Sequence, residues 1–231
     1  MAKRTRKSTG GRKPSRPYHH GNLREALIEA TLQLVEEGGP EAVTVREAAR
    51  RAGVSSGAPF RHFPNRTVLL TAVAEEATHR LHAAVFRAVE QAKARGPLAR
   101  LRAVGVAYLR WASENPTHFA VVSNRGLIDY DSSVSMPREN EEIQGLMSRL
   151  LEEAQQKSEA LSADPVGMRL VMRALVYGLA RMRVDGHLPQ WGVTASRPEP
   201  ALESALDLFL ASLVSRRGSC APPARRRQSG P

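Results

Sequence analysis

TVREAARRAGVSSGAPFRHFPNR, from Thr44 to Arg66, reads as two short helices meeting at a sharp turn. Thr44 and Glu47 are three apart, the spacing of a capping box: the hydroxyl accepts from the Glu47 N–H, the carboxylate answers the Thr44 N–H, and a helix opens at Val45. Val45, Ala48 and Ala49 give it one apolar face. Gly53 stands where a left-handed residue must stop it, and Val54 can then plug the angle between the helices. Ser55 can cap a second helix. Pro59 falls near its first turn, where N–H groups lack helical partners and a missing one costs little. Phe60 and Phe63, three apart, are expected to face the core and leave Ser56, Ala58, Arg61 and His62 outward. Asn65 caps the next helix, which begins at Arg66. A second helix offered outward in this way suits the major groove of DNA. The same spacing also fits an αα-corner with no nucleic acid in its role.

Outward from that stretch the chain stays helical. Asn22 and Glu25 form a capping pair for a helix over Leu23 to Glu37 ended by Gly38, and Leu23, Leu27, Ala30 and Leu34 make the stripe that packs on the two short helices. A long helix is expected from about Arg66 to Arg95, with Leu69, Val73, Ala77, Leu81, Val85 and Val89 along one face. His79 and His82 on it are three apart, but with no cysteine nearby and no carboxylate pattern around them a solvated face is the better reading than a metal site. Gly96-Pro97 turns the chain into a helix ending at Asn115-Pro116, apolar on more than one face and hence central. A short helix follows over Thr117 to Val122, then a loop from Asn124 to Arg138, then helix from about Glu139 to Ala160. Asp164-Pro165 opens one further helix and Pro198 with Pro200 another. Between them, Trp191 is expected to anchor a loop. Val171, Leu175, Gly178 and Met182 on the first, and Leu202, Leu206, Phe209 and Leu213 on the second, recur at 4-3-4 spacing. Two copies could join these faces in a four-helix bundle across a twofold axis, or both helices could pack within one monomer.

The fold class is therefore all-α, with an amino-terminal helix-turn-helix unit and a larger helical unit. The expected boundaries are 1–17 for a basic arm, 18–66 for the helix-turn-helix domain, 67–217 for the second domain and 218–231 for a basic tail. The net charge of +11 is concentrated at the ends: seven basic residues in 1–17 and five from Arg216 onward face no acid, and the remaining 22 basic residues meet 23 acidic ones. Both ends are too poor in apolar residues to fold alone. The leading arm can lie along phosphates or in a minor groove, or simply be solvated. Cys220 is the only cysteine, which excludes an internal disulfide and cysteine metal clusters. No apolar run has the length to span a bilayer and the basic start lacks a signal-peptide core, so the expectation is cytoplasmic, without a membrane partner.

YHHGNLREALIEA at Tyr18 to Ala30, the helix-turn-helix and RHFPNRTVLLTAVAEE through Glu76 resemble, in order and spacing, the amino-terminal pattern of the tetracycline-repressor (TetR) family of bacterial transcriptional regulators. The subset carrying GAPYRHF is the most similar. The strong resemblance covers roughly residues 18 to 80; beyond it, length, helicity and YLRWASENPTHFAVV agree. Phe60 stands where the family usually has Tyr, losing a hydroxyl that would reach a phosphate, and Arg66 where Lys is usual.

The resemblance implies a dimer that holds a palindromic operator and responds to a small apolar effector, with repression as the family's usual outcome. It places Arg46, Ser56, Gly57 and Ala58 at base edges, where Arg46 can donate twice to guanine. Thr44, Ser55, Phe60, Arg61, His62 and Arg66 are left to position the backbone. Tyr108, Trp111, Phe119, Met136, Met147 and Tyr177 are candidates for an effector pocket, and ordinary core packing explains the same residues. The competing function is a constitutive, nucleoid-like DNA binder dominated by its basic arms. No nucleophile elbow or HExxH appears, so neither catalytic nor metal residues are assigned, no cofactor is expected, and an enzyme is disfavoured.

Overall fold

A computed structural model describes residues 23–55, 57–157, 164–194 and 196–214. Both basic ends, Asn22 and Ser56 fall outside these residues. Among the described residues the regular elements are helical: α1 (Leu23–Gly38), α2 (Val45–Arg51), α3 (Arg66–Gln91), α4 (Pro97–Glu114), α5 (Pro116–Val122), α6 (Ser135–Gln156), α7 (Pro165–Val184) and α8 (Glu199–Ser212), with short 3-10 turns between some of them.

The head is built from α1, α2 and the start of α3. Helix α1 runs through Gly38 and stops at Gly39, the residue with positive φ (74°). Gly38 serves a different need, because a Cβ there would lie 2.8 Å from the Ala42 Cβ. At α2 the Thr44 hydroxyl accepts from the Glu47 N–H at 3.1 Å. The expected reciprocal bond gives way to an ion pair, since both Glu47 carboxylate oxygens are taken by Arg50. The exit is a full Schellman motif: Val54 N–H donates to the Ala49 carbonyl and Gly53 N–H to that of Arg50, with Gly53 at φ 71°.

The expected second short helix is reduced to a 3-10 turn over Pro59–Arg61. In an α-helix starting at Ser55, residue 59 would donate to the Ser55 carbonyl. Proline has no N–H, and that carbonyl instead accepts from Ala58 at 3.1 Å. The change also resets which aromatic is buried. Phe63 N–H donates to the Pro59 carbonyl at 2.8 Å, and Pro59 and Phe63 share the buried side. Phe60, expected in the core, is 42% exposed.

Helix α3 starts under the Asn65 cap, which accepts from Val68 N–H at 2.9 Å. It serves two cores. Leu69, Leu70, Ala72, Val73 and Ala74 pack with α1 and α2, whereas Ala77, Val85 and Val89 pack with the larger body. The apolar packing thus divides between Ala74 and Ala77, inside the helix. Thr71 and Thr78 are buried there and donate to the carbonyls of Thr67 and Ala74, so their hydroxyl protons need no other acceptor. His79 and His82 are not merely solvated: they meet Glu139 at 2.9 Å and Glu142 at 2.7 Å, clipping α3 to α6. Among the described residues no group of three or more metal-type ligands is assembled.

Helix α4 is the centre of the body, touching α3, α6, α7 and α8. Helix α6 begins at Ser135, earlier than expected, because Pro137 fits its first turn and Ser133 accepts from Met136 N–H. Asp164 caps α7 through Val166 and Gly167 N–H groups. Trp191 does not anchor its loop: it is 74% exposed, and Leu188 fills that place.

The α8 stripe expected at an interface between copies lies inside the monomer. Leu202, Leu206 and Leu213 are buried, and Leu206 sits so close to Gly105 of α4 that a Cβ there would meet it at 2.6 Å. Phe209, Leu175, Gly178 and Met182 are half-buried, and only Val171 of the expected set is exposed. The apolar side chains left in solvent on these helices are Val166, Leu170, Val171 and Leu208.

Where α5 packs on α1 and α3, His118 is buried and its Nε2 has no hydrogen-bond partner. Burial holds its pKa below the ordinary value; the nearby Arg80 guanidinium pushes the same way, while Glu76 and Glu29 oppose it. The folded state therefore favours neutral His118. This stabilisation is complete above the ordinary histidine pKa of about 6.5 and is lost as pH falls below it toward the folded value. His118→Leu should narrow the difference between urea midpoints measured at pH 7.5 and pH 5.5. Leu206→Ala should destabilise the fold by about 2–5 kcal/mol in urea melts, by the same amount at every protein concentration.

Candidate nucleic-acid interface and effector cavity

The head's cations divide by partner. Arg50 binds Glu47, Arg51 binds Glu37 at 2.7 Å, and Arg24 lies 3.5 Å from Glu75. These hydrogen-bonded arginines hold the Glu37 and Glu47 carboxyls below the usual carboxylate range. Arg66, expected at a phosphate, is turned inward: its Nη2 donates to the Pro40 carbonyl and to Glu41. Its Nε is buried without a partner. Arg46 and Arg61 are exposed and make no ion pair with a carboxylate among the described residues.

The remaining described sequence candidates are also accessible. Thr44, Ser55, Gly57, Phe60 and His62 are exposed and Ala58 is half-buried. Ser56 lies outside the described residues. Exposure here follows from Pro59 and Phe63, which hold the turn against the head and leave intervening side chains outward. The set offers two unneutralised guanidiniums, hydroxyls, an apolar ring and backbone at Gly57. It can contact phosphates and base edges but supplies no nucleophile–base pair.

A cavity of about 350 Å³ lies in the body between α3, α4, α6 and α7. Leu81, Val85, Val104, Met147, Met172 and Val176 make its walls apolar; Tyr108, Asn140, Gln144, Arg169 and Arg173 supply the polar atoms. A smaller recess of about 70 Å³ shares Leu81, Tyr108, Asn140 and Arg173 and is bounded by Trp111, Phe119 and Tyr177. Phe119 organises the aromatic wall, with ring centroids of Tyr108, Trp111 and Tyr177 within 6.5 Å. Arg173 Nη1 donates to Tyr108 Oη at 2.6 Å. Burial pushes the Tyr108 phenol pKa up, against the opposing effect of Arg173.

Of the sequence candidates for a pocket, Tyr108 and Met147 line the cavity, and Trp111, Phe119 and Tyr177 the recess. Met136 does neither; it is fully buried with the head core, because the early start of α6 carries it toward α1 and α3. The sequence reading missed Asn140, Arg169 and Arg173. A usable signal was present: the whole of α7 contains no acid to neutralise its arginines. A larger groove of about 700 Å³ between α3 and α4 is an open surface floored by alanines and edged by Arg80, Arg87, Arg95, Arg102 and Arg110. It lacks the enclosing apolar walls of an effector site.

Residues 27–73 match the family model described as bacterial regulatory proteins, tetR family, and residues 101–209 match that described as tetracyclin repressor-like, C-terminal domain. A Rhodococcus sp. RHA1 structure titled as a protein with unknown function is 30% identical, with TM-score 0.71, covering 87% of this chain and 100% of its own. The nucleoid occlusion factor SlmA of Vibrio cholerae is 26% identical over 132 residues, 57% of this chain and 62% of SlmA. The HTH-type transcriptional repressor KstR of Mycolicibacterium smegmatis is 37% identical over 65 residues, 28% of this chain and 32% of KstR. The chain thus spans less than two thirds of these curated relatives. The two family models fall on the head and on the body that carries the cavity, and the chain belongs to the TetR family of bacterial regulatory proteins.

Proposed function

We propose that this protein is an effector-responsive transcriptional regulator, most similar to family members with a GAPYRHF-type turn, that holds a palindromic operator as a dimer. The observation that carries the proposal is α3 itself. Its first half is built into the head core and its second half forms a wall of the apolar cavity. A molecule that fits the cavity better in one position of α3 than in another would shift the head accordingly. Further ties follow the same direction: Asp129 N–H donates to Thr71, Ser133 to Glu75, and Asn140 of the cavity wall to the Tyr130 hydroxyl.

On this reading Arg46, Ser56, Gly57 and Ala58 contact base edges. Arg61, His62, Phe60, Thr44 and Ser55 position the backbone. Arg66 acts mainly by bracing α3 against the Pro40–Glu41 turn, as its two partners there support. The exposed apolar side chains Val166, Leu170, Val171 and Leu208 favour a joint between copies on the outer faces of α7 and α8. Repression is the expected outcome, in keeping with the family's usual behaviour.

Selection of genomic fragments by the purified full chain at near-physiological salt should enrich a palindrome, and should still do so without residues 1–17. Similar affinity for all fragments, lost with the arm, would replace this reading by an arm-driven, nucleoid-like binder. Arg46→Ala should flatten sequence preference by about 1–3 kcal/mol at the contacted base pair, whereas Arg61→Ala should weaken all sequences alike and reduce the salt dependence; a titration series distinguishes the two. Leu170→Glu should convert dimer to monomer by light scattering while leaving the helical circular dichroism unchanged.

A further inference from the structure

Some arginines of this body are neutralised by a carboxylate. Arg100 pairs with Glu153, Arg102 with Glu203 and Asp207, and Arg181 with Asp185. Arg87 and Arg110 have no such ion pair among the described residues, and neither do Arg169 and Arg173. The last two stand one helical turn apart on α7, both reach the rim of the cavity, and their partners are the neutral hydroxyls of Ser148 and Tyr108, each at or below 2.8 Å. The cavity lining includes no Asp or Glu, and neither does the lining of the adjoining recess. The Arg173 guanidinium also lies over the Tyr108 and Tyr177 rings, 4.8 and 5.2 Å from their centroids, and the residue remains exposed.

We propose that the effector is an amphipathic carboxylate: an apolar body seated among Leu81, Val85, Val104, Met147 and Val176, and an anionic head bound at the α7 rim by Arg169 and Arg173. The inference rests on the cavity being the effector site. Its physical basis is a pair of guanidiniums on a lining that is otherwise largely apolar and carries no acid. Val85, Val104, Met147 and Val176 are buried and offer apolar contact, which any hydrocarbon could satisfy, whereas half-buried Arg169 and exposed Arg173 carry two positive charges that a neutral ligand would leave without a counter-ion. Hydroxyl partners orient these guanidiniums without neutralising them, and each still has donors to spare for a carboxylate. Arginine heads at a rim can also be accounted for by ordinary snorkelling into water, and the experiment must separate the two.

Calorimetric titration of the full chain with decanoate and with 1-decanol, which share a tail and differ in the head, makes that separation. Decanoate should bind at least tenfold more tightly than decanol. Arg173→Met and Arg169→Met should each cut decanoate affinity by on the order of tenfold without changing decanol affinity, and Arg173→Lys should retain part of the preference. Val176→Phe, which fills the cavity and leaves both arginines in place, should abolish binding of both probes. Equal affinity for the two probes, unmoved by the arginine variants but lost in Val176→Phe, would overturn the anionic head and leave the cavity as an effector site. Decanoate binding that survives Val176→Phe would place the anion elsewhere and overturn the proposal. Absence of binding by either probe would overturn both the head group and the cavity.

Discussion

The packing of α3 against two different cores is the constraint on which the molecule depends. Leu69, Leu70 and Val73 have no exposed surface because α1 and α2 close over them, and about three turns later Val85 is almost equally enclosed by the body. One continuous hydrogen-bonded helix joins these regions. Thr71 and Thr78 satisfy themselves within the helix, so α3 carries polar groups through the junction without an unpaired hydroxyl. A helix of this kind resists bending and transmits displacement as a rigid element.

Neighbouring contacts restrict how α3 can move. On one side, His79 and His82 tie it to Glu139 and Glu142 of α6. On the head side, Arg66 fastens its first turn to Pro40 and Glu41, and the buried Thr71 hydroxyl receives the Asp129 N–H. Movement of α6 or of the segment before it therefore acts on α3 at several points along its length. Asn140 belongs to both systems, bordering the cavity and holding Tyr130, whose ring lies 3.2 Å beneath the Arg125 guanidinium.

Local chemistry made much of this legible in the sequence. The Thr44 cap, the Gly53 stop, the Asn65 cap, the Asp164-Pro165 opening and the central character of α4 all depend on residues within a turn of one another. What escaped depended on tertiary competition. Glu47 had two possible partners, the Thr44 N–H or Arg50, and spacing favoured the former while the fold uses the latter. Phe63 is buried as expected, but Phe60 is not, because Pro59 shortened the helix to a 3-10 turn. The stripe on α8 was correctly apolar, but periodicity reports only that a face is covered, not whether a neighbour in the same chain or another copy covers it. Gly105 decided that question by admitting Leu206 against α4. Arg169 and Arg173 escaped for a related reason: charge on a helix reads as solvent-facing until the cavity beneath it is known.

Helix α7 brings the effector and assembly questions together. Met172 and Val176 face the cavity, Arg169 and Arg173 border it, and Leu170 and Val171 carry apolar surface into solvent on the same helix. Leu170 and Val166 do both, since each borders the cavity and is more than half exposed. If a second copy covers that surface, the cavity rim and the joint between copies share side chains. A ligand head pulling Arg169 and Arg173 inward would then act at once on α3, through the cavity walls, and on the relative placement of two heads, through α7. A dimer on the proposed operator would need its two heads at a fixed spacing, on the order of 34 Å for successive major grooves, so displacement along either route would change affinity without any contact between ligand and DNA. The direction of that change is set by which spacing the occupied cavity favours, and a ligand indifferent to spacing would have no effect however tightly it bound.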